Sequence, residues 1–225
     1  MAKNPKQALF REFAMAARAL GHPHRLEILE HLAQGERAVE ALSEKIGLSI
    51  ANTSQHLQRL RRAGLVASRR DGKFVVYRLS DDTILVLLSA LRSVAERNVA
   101  EVDRIVRDYF DDRDSMEPVS REDLLERHRA GLATILDVRP ADEFEHGHVA
   151  GAVNIPLDDL EARLGDIDPE HEIVAYCRGA YCVLSFEAVA ALRARGFRAR
   201  RLVDGMPEWK AAGLPVQSTA PINRV

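Results

Sequence analysis

The chain has 225 residues, 46% hydrophobic and 29% charged, enough apolar material for one large or two ordinary globular domains. Its net charge of −2 conceals an asymmetry: residues 1–110 hold 18 Lys and Arg against 13 Asp and Glu, whereas residues 111–225 hold 14 against 21. A polyanionic partner is therefore expected to meet the first part and not the second. No run resembles a signal peptide or a membrane span, and two cysteines do not make a secreted disulfide framework, so a cytoplasmic protein with no membrane partner is expected, its thiols read as cytosolic.

Residues 7–20 are rich in Ala, Leu and Phe without Pro or Gly until Gly21, which predicts an amphipathic helix. A second helix is expected from Pro23 to about Gly35, a third over Ala38–Ile46, and a fourth from Ser49, ending before Gly64. Two short helices with Gly47 between them make a helix-turn-helix candidate. The fourth helix carries Asn52, Thr53, Ser54, Gln55, Gln58 and Arg59, whose side chains suit base edges and phosphates, with Ser49 at its start. Val66–Arg78 then reads as two strands around Asp71-Gly72, a hairpin carrying Arg69, Arg70, Lys73 and Arg78. From Arg59 to Arg78 there are seven basic residues and one acid, a wing suited to a phosphate backbone.

Leu20-Gly21-His22-Pro23-His24-Arg25-Leu26-Glu27-Ile28-Leu29 and Ser54-Gln55-His56-Leu57-Gln58-Arg59-Leu60-Arg61-Arg62-Ala63-Gly64-Leu65-Val66 together resemble the ArsR family of winged-helix repressors. The resemblance implies that residues 1–110 form a mainly α winged helix-turn-helix that binds double-stranded operator DNA. It also implies a homodimer built on the first and last helices of that domain. Between Asp81 and Phe110 there is no Gly or Pro, and Ile84, Leu88, Leu91, Ala95, Asn98, Val102, Ile105 and Tyr109 keep a heptad seam whose single amide, Asn98, is expected to fix register. Members of the family often sense metals, but residues 1–110 contain no cysteine, and His22, His24, His31 and His56 form no obvious cluster, so no metal site is expected.

Residues 111–118 are charged and end in Pro118, the expected linker. Ser120 with Asp123 starts a helix to about Ala130. Strand-like and helical runs then alternate over 133–138, 153–155, 158–164, 172–177, 183–195, 198–203 and 207–212, which predicts an α/β fold with a parallel sheet covered by helices on both faces. Ligand sites in such sheets lie beyond the carboxyl ends of the strands, where Cys177 falls. Both cysteines occur in Cys177-Arg178-Gly179-Ala180-Tyr181-Cys182-Val183, a loop between an apolar run and a helix start. Backbone amides and a helix N-terminus there favour an anion such as a thiolate, and Arg178 is the nearest candidate cation.

Four segments in order resemble a rhodanese domain over residues 119–217, leaving 218–225 as a tail: Leu136-Asp137-Val138-Arg139, Glu143–Pro156, the Cys177 loop, and Asp204-Gly205-Met206-Pro207-Glu208-Trp209. The resemblance implies that Cys177 accepts sulfane sulfur as a persulfide and that the amides of Arg178, Gly179, Ala180, Tyr181 and Val183 cradle its charge, without a cofactor. Asp137 and Arg139 are expected to brace the loop. Phosphatases with such a loop place an Arg six residues after the cysteine, and here that residue is Val183, which argues against phosphoryl chemistry. Many rhodaneses carry a hydroxyl or basic residue where Cys182 stands, so Cys182 is a candidate resolving thiol. The expected function is a DNA-binding regulator that senses small sulfur species or thiol oxidants through these two residues. The alternatives are a working sulfurtransferase with an appended DNA-binding domain, its activity weak, and an inert rhodanese domain that only binds a partner.

Overall fold

The computed structural model of the chain describes residues 4–106, 108 and 118–219. The expected linker except Pro118, the tail from residue 220, and Tyr109 of the seam lie outside the described residues. The chain divides into two compact units, Met1–Ile84 and Leu85–Val225.

In the first unit, α1 (Pro5–Leu20) starts where the Asn4 side chain accepts from the Lys6 and Gln7 amides and where Pro5 needs no donor partner. It is followed by α2 (Pro23–Ala33), β1 (Arg37–Ala38), α3 (Val39–Lys45), α4 (Ile50–Arg62), β2 (Val66–Asp71) and β3 (Phe74–Leu79). The three strands pair antiparallel in the order β1-β3-β2. Gly72 (φ 58°) permits the two-residue turn that joins Asp71 to its partner Phe74. Ile28, Leu29, Leu42, Leu57 and Leu60 are fully buried, each such side chain contributing about 1.5–3 kcal/mol relative to exposure. On α1, Leu9, Phe10, Phe13 and Met15 are more than half exposed.

The second unit contains most of α5 (Thr83–Asn98), then α6 (Ala100–Val106), α7 (Arg121–Arg129), β4 (Ala133–Asp137), α8 (Ala141–His146), β5 (His148–Val149), β6 (Val153–Asn154), β7 (Glu172–Tyr176), α9 (Val183–Ala194), β8 (Ala199–Arg201), α10 (Met206–Ala211) and β9 (Val216–Gln217). The segment 81–110 is not one continuous helix, a correction to the heptad expectation. Asn98 Nδ2 donates to the Val94 carbonyl at 2.8 Å, competing for a ladder acceptor where α5 ends, and the break follows at Val99.

Strands β6-β4-β7-β8 form a wholly parallel sheet, while β5 and β9 pair antiparallel beside it. Alternation along β7 divides the core in two. Ile173, Ala175 and Cys177 pack with Ala188, Val189 and Leu192 of α9 on one face. Val174 and Tyr176 pack with Leu124 of α7 and with Met206 and Trp209 of α10 on the other. The 158–164 run forms only short 3-10 turns, at Leu157–Asp159 and Leu164–Asp166.

Candidate functional site

The Ser49 hydroxyl caps α4 by accepting from the Asn52 amide. Spacing of three and four residues then sets Asn52, Gln55 and Arg59 on one exposed face with Gln58 beside them, and Ser54 is half-buried. Thr53 departs from the sequence expectation. It is fully buried and its hydroxyl donates to the Ser49 carbonyl at 3.1 Å, so it cannot reach a groove. Arg70, Lys73 and Arg78 are exposed on the hairpin. The half-exposed Arg69 guanidinium is held by Glu36, and by Asp71 at 2.9 Å, and these partners raise its already high pKa.

The histidines also differ from expectation. His22, at the start of α2, His24 and His56 of α4 gather with ring centroids 4.5–5.9 Å apart. The His22 and His56 Nδ1 atoms are buried without a hydrogen-bond partner. Burial, followed by neighbouring positive groups that include Arg25 and Arg59, lowers the pKa of both rings. Tertiary packing brings together residues more than thirty positions apart in sequence. Among the described residues, no group of three or more His, Cys, Asp or Glu has an arrangement able to hold a metal ion.

In the second unit Cys177 follows β7 and is buried, Cys182 is the residue before α9, and the two are joined as a disulfide with Cα atoms 6.1 Å apart. The loop between them is tied from several sides. The Cys177 carbonyl accepts from the Met206 amide at 3.0 Å, the Cys182 amide donates to the Gly179 carbonyl at 3.1 Å, and Arg201 donates to the Ala180 carbonyl at 3.3 Å. Ala180, Tyr181 and Val183 are half-buried and Gly179 is buried. Arg178 Nε donates to the fully buried Glu143 of α8 at 2.9 Å, so a carboxylate already answers the cation expected beside the thiol.

Asp137 and Arg139 lie at the same end of the sheet, both completely buried. Asp137 accepts from the Arg139 backbone amide at 3.0 Å, from its guanidinium, and from the Tyr176 hydroxyl. Arg139 Nη2 reaches the Gly147 carbonyl at 2.8 Å, and the Val149 amide donates to the Tyr176 oxygen at 3.0 Å. Burial and then the Asp137 charge push the Tyr176 phenol far above its usual range, so it stays a donor. This network fixes the residue directly before Cys177.

Other residues around the loop had no role assigned from sequence. Gly205 lies so close that a Cβ there would stand 2.2 Å from the Gly179 nitrogen. Glu208 accepts from the Gly205 amide at 3.1 Å. Glu143, Gly205 and Glu208 fall inside segments that carry the rhodanese resemblance, and that was their only signal. Arg92 and Glu96 of α5 carried none. Arg92 pairs with Glu208 and lies 5.8 Å from the Tyr181 ring centre, and the Tyr181 hydroxyl donates to Glu96 at 2.6 Å. Asp204 bonds Arg121 at 2.8 Å, yet burial pushes its carboxyl up. No described helix is long and apolar enough to cross a membrane.

Residues 20–69 match the helix-turn-helix domain family and residues 120–212 match the rhodanese-like domain family. The chain is 42% identical over 217 residues to the HTH-type transcriptional regulator Rv0324 of Mycobacterium tuberculosis, an alignment spanning 96% of this chain and 95% of that protein. Among solved structures it is similar to the homodimeric winged helix-turn-helix DNA-binding domain of Mb0332 from Mycobacterium bovis, at 36% identity and TM-score 0.41, over 44% of this chain and 92% of that one. It is also similar to a rhodanese-related protein of Thermoplasma volcanium, at 27% identity and TM-score 0.40, over 44% and 96% of the two chains. The chain belongs to the HTH-type transcriptional regulators in which an ArsR-type winged helix-turn-helix precedes a rhodanese-like domain.

Proposed function

We propose that the protein is a cytoplasmic, homodimeric repressor of double-stranded operator DNA that senses sulfane sulfur through Cys177 and Cys182. The observation that carries this reading is the meeting of the chain's two cysteines in one strand-to-helix loop, within a regulator whose α4 exposes Asn52, Gln55, Gln58 and Arg59. The apolar face of α1, with Leu9, Phe10 and Phe13 exposed, supports a second copy as partner. Similar support comes from the exposed Val86, Leu87, Leu91 and Val94 of α5.

The sensing step follows from thiol chemistry. The Cys177 thiolate attacks the terminal sulfane sulfur of a polysulfide. A new S–S bond forms, the adjacent S–S bond breaks, and the shortened polysulfide leaves with the electron pair. The Cys182 thiolate then attacks the Cys177 sulfur and expels hydrosulfide, closing the disulfide. Two thiols lose two electrons and two protons, and one sulfane sulfur is reduced to sulfide. Altered packing around the loop would shift the dimer between states of different DNA affinity.

The test is fluorescence anisotropy with a duplex selected by the reduced protein from a random library, read beside intact mass. The expected result is that polysulfide brings a two-proton mass loss and weaker binding, and that Cys182→Ser stops at the persulfide. Equal affinity of the reduced and disulfide forms would sink the reading. A sulfurtransferase is the second reading, favoured by the placement of Cys177 beyond the carboxyl end of a central parallel strand. Multiple turnovers of thiosulfate and cyanide, lost in Cys177→Ser and kept in Cys182→Ser, would select it.

A further inference from the structure

The thiol loop lies between two clamps of unequal stiffness. On one side is backbone: Gly205 approaches Gly179 so closely that not even a methyl group fits. On the other are the flexible side chains of α5. A Cβ on Gly179 would meet the Arg92 guanidinium at 3.7 Å, an ordinary van der Waals distance. Arg92 faces the Tyr181 ring and bridges to Glu208, while Glu96 accepts from the Tyr181 hydroxyl. Tyr181 is bonded directly to Cys182, so it moves with that sulfur. The Gly205 side leaves no room for the loop to move, whereas the α5 side is held only through side-chain contacts of Tyr181, Arg92 and Glu96.

We propose that Arg92 and Glu96 are the residues through which the chemical state of the thiol loop is passed to α5, acting as positioning residues for Tyr181. This inference rests on the sulfur-sensing reading above and specifies how that site regulates. Neither residue lies in the segment that matches rhodanese-like domains, 120–212, so the helix completes a site that the rhodanese-like fold alone leaves open. Only Ser80, Asp81 and Asp82 separate the end of β3 from the start of α5. α5 is therefore the element through which the chain passes from the hairpin into the second unit.

The experiment is amide hydrogen exchange of the full chain, followed over residues 86–98, in two states. One is the disulfide form and the other is the dithiol made with dithiothreitol, which is itself oxidised to its cyclic disulfide. The parent protein is expected to exchange at least about tenfold faster in the dithiol state, the effect of losing two side-chain contacts. In the Arg92→Gln/Glu96→Gln variant the two states should exchange alike, with the mass change on disulfide closure retained. Each single variant serves if the double variant folds poorly. State-independent exchange in the parent protein, or unchanged state dependence in the variants, would overturn the inference. Anisotropy on the same samples separates it from the sensing reading: DNA affinity that follows thiol state while α5 exchange does not leaves sensing intact and removes Arg92 and Glu96 from it.

Discussion

On α4, the polar residues Asn52, Gln55, Gln58 and Arg59 stand exposed above a buried seam of Leu57 and Leu60. At the carboxyl end of the parallel sheet, the polar side chains of Asp137, Arg139 and Glu143 have no exposure at all. The first arrangement leaves its hydrogen-bonding groups to a partner; the second spends them on holding a loop. Removing a side chain should therefore cost affinity and little stability on α4, and stability first beside the thiol loop.

The largest effect is expected for Asp137→Ala, which leaves the buried Arg139 guanidinium and Tyr176 hydroxyl without their shared acceptor. Breaking a buried ion pair from one side costs about 3–5 kcal/mol, measurable by urea denaturation. A loss below about 1 kcal/mol would mean the pair behaves as a surface bridge and the contrast fails. Gly205→Ala comes next. Its methyl would overlap Gly179, and relief by backbone movement costs about 1–3 kcal/mol. Slower closure of the Cys177–Cys182 bond, followed by mass, should accompany it.

Gln58→Ala sharpens the other side. Its unfolding free energy should stay within about 0.5 kcal/mol of the parent, while affinity for the selected duplex falls about tenfold if Gln58 reads a base edge. Loss of stability with unchanged affinity would reverse the assignment. The smallest effect concerns pH. His22 and His56 have pKa values below the ordinary 6.5 in the folded chain, so the unfolded chain takes up their protons first as pH falls. Their contribution to stability is complete above pH 6.5 and declines on acidification below it. The urea midpoint of the helix-turn-helix unit should drop between pH 7.5 and 5.5, and less so in His56→Gln.

Local chemistry was the readable part of both units. Asp71-Gly72 specifies its turn within two residues, and the helix starts at Pro23, Ser49 and Ser120 follow from capping and proline geometry, whereas the first helix begins at Pro5, two residues before the expected Gln7. Whatever depends on a distant partner was not readable. Arg69 meets Glu36 across 33 positions, the His22 ring centre lies 4.5 Å from that of His56, and β5 pairs with β9 across nearly seventy. Thr53 looked like its neighbours on α4 because composition does not reveal which side of a helix faces the core. At the thiol loop, sequence indicated which residues matter without their roles: Arg178 pairs with Glu143, and Gly205 matters for what it lacks. The break at Val99 escaped because the heptad pattern runs straight through it.

Trp209, the chain's one tryptophan, is fully buried beneath the sheet, with its indole Nε1 donating to the Pro215 carbonyl at 2.9 Å. It follows Glu208, the partner of both Arg92 and the Gly205 amide. Indole emission is thereby an internal optical probe of the rhodanese-like unit alone, silent about the first 84 residues. Followed beside far-ultraviolet ellipticity, to which both units contribute, it can time the collapse of one half of the molecule against the other without any attached label.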